Sequence, residues 1–343
     1  MEKEIVENIA LLGNDRHLKA EGWARRAYWQ YSRKALHTSS LRIKEWDYYQ
    51  VMNSQKGYAI NFTFSDLGLF SLVSISYVDL ERRSFSQESA IRMLTRNRSG
   101  LAESPDSDYF VTYANENITL SIIKKGEKRQ IIANAPKMVL PDGKHGLIAD
   151  LTIIDTGCES LNIATSWKED RRKFYYNEKR GPMRTEGRII RGLEAEEINS
   201  SYALLDWGRG IWLRNSTWLW SAVMGSDGAI PYMINLGGGF TDRSPASENA
   251  IIYGGIVNKI EETEIKYPDP IDSGKWVIDE KNGRLHLEME ALVNRKDHQD
   301  YKIISSRQDQ VFGLFSGYFI LSDGKKVNID HVAGFAERVE NKW

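Results

Sequence analysis

Turn dipeptides set between stretches of period-two alternation constrain this chain more than any other feature. Asn282-Gly283 divides residues 274–290 into two runs. In the second, Arg284, His286, Glu288 and Glu290 fall on one face and Leu285, Leu287, Met289 and Ala291 on the other. Asn-Gly supplies the two positive φ values that a type I′ turn needs, so the segment reads as a β-hairpin. The pattern recurs at Asp227-Gly228 between 218–224 and 229–235, at Gly254-Gly255 between 250–253 and 256–260, and at Asp323-Gly324 between 312–321 and 326–333. Hairpin signals at this density specify antiparallel β-structure.

The first half continues the pattern with more noise. Strands are expected at 42–52, 58–64, 70–79, 108–113, 118–124, 129–133, 147–154, 160–166 and 173–177, with one short helix over 87–96. At 343 residues the chain exceeds the usual single-domain size. The charged, turn-prone stretch from Asn177 to Arg184 supplies the seam, so domains of 1–180 and 181–343 are expected. Many short antiparallel strands at such spacing build barrels or sandwiches, and two barrel-like halves fit the length.

Charge and cysteine usage narrow the partners. With 46 Lys and Arg against 47 Asp and Glu, the chain lacks the basic excess of a nucleic-acid binder. Trp23-Ala24-Arg25-Arg26-Ala27-Tyr28-Trp29 mixes base and aromatic as single-strand binders do, but one such segment on a neutral chain reads better as a partly docked arm. The single cysteine, Cys158, forms no internal disulfide and suits a reducing compartment. The opening residues hold no apolar run of signal-peptide or membrane-spanning length. A cytoplasmic protein without stable membrane insertion is therefore expected, its oligomeric state left open.

The usual catalytic signatures are missing. There is no phosphate loop, and Gly237-Gly238-Gly239 follows a hairpin and lacks the later glycine of a dinucleotide fingerprint. Gly313-Leu314-Phe315-Ser316-Gly317 has its serine one place late for a nucleophile elbow. The six histidines share no metal-ligand spacing; no metal and no cofactor are expected, although a calcium site of Asp and backbone carbonyls would leave a weaker trace.

What remains is the stretch from Asp206 to Asn249. Leu205-Asp206-Trp207-Gly208-Arg209-Gly210-Ile211-Trp212 sets an acid and a guanidinium three apart between tryptophans. Trp218 and Trp220 share a strand face, and Asn235, Thr241, Asp242, Glu248 and Asn249 follow. In a functional reading, Asp206, Asp242 or Glu248 is a carboxylic acid raised in pKa by aromatic neighbours. Arg209 then orients a polar head, and Trp207, Trp212, Trp218 and Trp220 wall the site, with Asn235, Thr241, Asn249, Trp46 and His331 as further ligand contacts. In a structural reading, Asp206 and Arg209 form a buried ion pair, the glycines permit positive φ and the tryptophans are core. A lone histidine on a strand, such as His331, is more often structural than catalytic.

Several blocks occur in an order seen in one family. They are Gly22-Trp23-Ala24-Arg25, Glu45-Trp46-Asp47-Tyr48-Tyr49, Phe174-Tyr175-Tyr176, residues 206–212, residues 235–242, Glu248-Asn249, residues 312–317 and the closing residues 334–343. On these the chain resembles the family catalogued as domain of unknown function 2804. That family is remotely similar to the carotenoid hydratase (hydroxyneurosporene synthase), AttH-like and tocopherol cyclase proteins. The resemblance implies an all-β fold of two lipocalin-like antiparallel barrels side by side. It also implies a small apolar or amphipathic ligand, and for several relatives protonation of an alkene. Three readings stay open: an acid-catalysed hydratase, cyclase or isomerase; a non-catalytic carrier or sensor of a lipid-like molecule; and a carbohydrate-active enzyme using paired carboxylates.

Overall fold

The computed structural model describes residues 2–300 and 305–342; Met1, residues 301–304 and Trp343, the last residue of the closing motif, lie outside it. Among the described residues the chain builds a 12-stranded and a 9-stranded sheet, with one small two-stranded pairing near the start. Both large sheets are antiparallel throughout their main ladders. All four expected hairpins are present, for example Lys275–Glu280 with Leu285–Asp300 and Ser305–Ile320 with Lys326–Lys342. No helix among the described residues is long and apolar enough to cross a membrane.

Each sheet curls toward a barrel. In the first, Ser86 Oγ on the outermost strand donates to the carbonyl of Val139, whose strand is third from the opposite edge. In the second, the edge strands Ile256–Lys259 and Thr263–Lys266 are consecutive in the chain, and Arg284 Nη1 donates to the carbonyl of Lys259 across the gap (3.1 Å). One apolar core fills the first curl (Tyr49, Phe62, Ile131, Leu151, Trp207) and another the second (Ile234, Trp276, Leu287, Phe315). A third lies between the sheets and includes Tyr48, Tyr175, Leu204, Trp220 and Phe335. The strands Ile43–Asn53 and Tyr58–Asp66, and the 203–211 part of Glu194–Ile211, are therefore buried on both faces.

One expectation is corrected. Residues 84–93 form a strand, Ser84–Met93, paired in register with Phe70–Asp79, where a helix was expected over 87–96. This edge strand is largely exposed, so polar residues occupy both faces and mask its alternation. The sheet also does not change at 180/181. Phe174–Arg191 runs unbroken through that seam, absorbing Gly181-Pro182 as an irregularity between Arg180 and Met183. The chain passes to the second sheet between Ile211 and Asn215.

The aromatic arm near the start is docked. Gly22–Ala24 pairs with Leu161–Ser166, and Arg25 Nη1 reaches Glu159 Oε2 (2.6 Å) and the carbonyl of Val257 (2.7 Å), tying the first sheet to the second.

Candidate functional site

Between the two sheets lies a cavity of about 180 Å³. Strands of the first sheet contribute Trp46 and Tyr175, the inter-sheet link contributes Trp212, and the second sheet contributes Trp218 and Trp220, with Phe240 following. Gly208 makes this wall possible. A Cβ there would stand 2.0 Å from a ring carbon of Trp46, so only glycine lets the indole lie flat against the neighbouring strand. Trp46 stacks on Tyr175 with ring centres 5.7 Å apart and planes 14° from parallel. Phe240 is ringed edge-on by Tyr175, Trp212 and Trp218 at 4.8, 5.0 and 4.9 Å.

A charged cluster faces this wall. Lys179 Nζ lies 2.9 Å from Asp206 Oδ1, 3.5 Å from Glu248 Oε2 and 4.0 Å from the centre of the Trp220 ring. Both oxygens of Asp206 are engaged: Oδ2 accepts from Trp46 Nε1 (3.1 Å), and Oδ1 also accepts from Asn177 Nδ2 (2.5 Å). Burial alone would lower Lys179, yet the carboxylates of Asp206 and Glu248 outweigh it and hold the ammonium above its ordinary value. Glu248 moves up. Burial is the main cause, Lys179 pulls it back, and the charge of Asp206 adds to the rise. Glu337, which accepts from Trp218 Nε1 (3.2 Å) and Gln308 Nε2 (2.7 Å), is raised by burial as well, against the pull of Gln308 and Arg295. Two carboxyl groups beside an aromatic wall are thus held above their ordinary values.

Glu248 reaches Lys179 because Gly237 has no side chain. A Cβ at Gly237 would fall 2.9 Å from Glu248 Cδ and 3.0 Å from its Cγ. Asn235 and Asn249 hold the frame: Asn235 accepts from Trp220 Nε1 (2.8 Å) and donates to the carbonyl of Glu248 (2.7 Å). Asn249 accepts from the backbone N–H of Gly237 (2.9 Å).

The cavity gathers Asp206, Glu248, Trp46, Trp212, Trp218 and Trp220 from the expected set; others lie elsewhere. Trp207 and Arg209 sit on the opposite face of their strand from Asp206, inside the first curl. There Arg209 pairs with Asp47 (3.0 Å), donates to the carbonyls of Trp46 and Ala102, and lies over the Trp207 ring (4.2 Å). Odd spacing along a strand forbids an Asp206–Arg209 pair, so the expected ion pair is corrected. Asp242 and Thr241 line a separate polar hollow beyond Phe240. Burial pushes Asp242 up, but hydrogen bonds from Ser244 and Arg171 and the charge of Lys168 prevail and hold it at about 2, the reverse of a proton donor. His331 is exposed beside Asp330 and does not line the cavity.

Lys179, Glu337 and Tyr175 escaped the residue-by-residue reading. Glu337 carried a signal, a carboxylate alternating with Phe335 and Val339 on one strand face. Lys179 shares a face with Tyr175 and Asn177, but nothing local marks that face as the one turned to the second sheet.

The family model for domain of unknown function 2804 matches residues 2–343, so the chain belongs to that family. No curated protein matches its sequence. Among solved structures it is similar to kievitone hydratase from Nectria haematococca at 12% identity and a TM-score of 0.50, covering 98% of this chain and 97% of that one. It is also similar to CghA with Sch210972 at 9% identity and a TM-score of 0.50, covering 88% and 89%. At these identities the likeness shows a shared fold, and the fold is of the lipocalin-like hydratase type.

Proposed function

We propose that this member of the family binds a small apolar or amphipathic molecule in the cavity between its two sheets and carries out hydratase- or cyclase-like chemistry, with Glu248 as the proton donor. The two curled sheets act as its two domains, joined by the link at 212–214. The observation that carries the reading is a largely buried carboxyl, raised in pKa, lining the same cavity as four tryptophans. The fold neighbour named as a hydratase supports the same coarse class. Cavity size bounds the ligand: about 180 Å³ is close to the roughly 150 Å³ that accepts one benzene ring, so the buried part is of that order.

The step balances within the site. The Glu248 carboxyl gives its proton to one carbon of a double bond, whose π pair becomes the new C–H bond. The other carbon becomes cationic and is stabilised by the negative faces of the surrounding indoles. Water then closes a C–O bond and returns a proton to the Glu248 carboxylate, or an internal hydroxyl closes a ring through its oxygen and returns its proton to the same carboxylate. Lys179 keeps Asp206 and Glu248 from repelling each other, and it occupies the space between them that a glycosidic oxygen would need, which disfavours the sugar reading.

Native mass spectrometry of freshly purified protein, compared with Glu248→Gln, tests the proposal. A co-purifying ligand in both, converted by the wild type and not by the variant, is expected. A ligand released unchanged from the wild type sinks the catalytic reading and leaves a carrier.

A further inference from the structure

On the outer side of Trp212 lies a second hollow of about 350 Å³, lined by Leu41, Leu69 and Phe70 together with Arg42, Lys44, Lys173 and Arg214. Trp212 lines both the apolar cavity and this basin, so the two spaces adjoin at that residue. Among the described residues no carboxylate lines the basin. The acids whose charge reaches its lysines also have other partners: Asp66 accepts from the Gly68 backbone N–H (2.9 Å) and Thr95 Oγ1 (2.7 Å), and Asp170 from Arg172 Nε (3.0 Å). Arg42, Lys173 and Arg214 make no ion pair among the described residues; Arg42 and Arg214 are exposed and Lys173 is half-buried, as are Arg25 and Arg33, which do hold a carboxylate. Arg214 belongs to the link between the sheets, and Arg42 directly precedes the strand that carries Trp46.

The charges act on one another. Burial is the main cause that lowers Lys173; Asp170 pulls it back up, and Arg42 and Arg172 push it down again. Lys44 is brought down to about 8 by burial, only partly offset by Asp66. A basin in which burial lowers both lysines, and Arg42 adds to that at Lys173, gains from an anion that neutralises it. Apolar residues on its rim and a tryptophan at its back fit a ligand with an apolar stem at that end.

We propose that this basin holds the oxyanion head group, such as a carboxylate, of an amphipathic ligand whose apolar body passes Trp212 into the cavity. The inference rests on the cavity reading above and narrows its ligand to an anionic amphiphile. Octanoate and octan-1-ol, followed by tryptophan fluorescence, serve as matched probes that differ in head charge. Wild-type protein is expected to prefer octanoate. Arg42→Gln with Arg214→Gln, two exposed positions outside the catalytic cluster, should weaken octanoate by roughly five- to tenfold and leave octan-1-ol unchanged. The preference should also shrink as salt rises. Equal wild-type affinity for the two probes, or equal loss of both in the double variant, overturns the basin and leaves the cavity standing. Binding of neither probe overturns the cavity reading and the basin with it.

Discussion

An alanine series at Gly237, Gly238 and Gly239 separates three physical reasons for glycine within one short run. At Gly237 the backbone is ordinary, but an added methyl would stand 2.9, 3.0 and 3.2 Å from Glu248 Cδ, Cγ and Cβ, so the glutamate must swing away from Lys179. Overpacking of this kind costs about 1–3 kcal/mol. The lost chain entropy of the unfolded glycine returns about 0.4–1 kcal/mol, leaving a net destabilisation of roughly 1–2 kcal/mol. For a protein of this size that is a melting-point loss of a few degrees, at about 2–4 °C per kcal/mol. At Gly238 the new methyl meets only Arg243 Nη1 at 3.5 Å, an ordinary contact, and the variant should melt with the wild type. At Gly239 φ is +83°, so alanine is strained by about 1–3 kcal/mol while Glu248 stays in place. Thermal melts should therefore fall for Gly237→Ala and Gly239→Ala, and octan-1-ol affinity should fall for Gly237→Ala alone. If Gly238→Ala loses as much as Gly237→Ala, or Gly237→Ala binds like the wild type, the close approach of Glu248 is not what that glycine serves.

Two further outcomes follow from the charges. Asp242 titrates at about 2 in the folded protein against 3.8 ordinarily, so its contribution is complete above 3.8 and is lost as pH falls toward 2. Asp242→Asn should cost on the order of 1 kcal/mol at pH 7, nothing at pH 2, and no turnover; a pH series of urea melts with a parallel activity assay reads this. Arg209→Met leaves Asp47 buried without its guanidinium and should cost about 3–5 kcal/mol, seen as a lower urea midpoint. An Arg209→Met protein as stable as the wild type but unable to bind ligand would instead make Arg209 a ligand contact.

Much of the fold was legible in the chain because hairpin chemistry is local. Positive φ at Gly228, Gly254, Gly255, Gly283 and Gly324 is demanded within a few residues, and each marks a turn between paired strands. The edge strand Ser84–Met93 was not legible, since little of it is buried and no alternation survives there. Part of the site was legible for a similar reason: Trp218 and Trp220 share a face by spacing alone, and Glu248 stands out beside the glycines that make room for it.

The sequence by itself determined that this protein is antiparallel β and where its second-half hairpins turn, and it marked residues 206–249 as candidate site residues, several of which line the cavity between the sheets. Only the tertiary structure decided which face of each strand that site uses. Asp206 and Arg209 differ by an odd number of residues and so point to opposite sides, one to the space between the sheets and one into the first curl. Both sides are buried and both contain tryptophan, so alternation separates the two faces without saying which meets the partner sheet. Lys179 and Glu337 join Asp206 and Glu248 only because strands distant in sequence converge there, a matter of packing that no local pattern records.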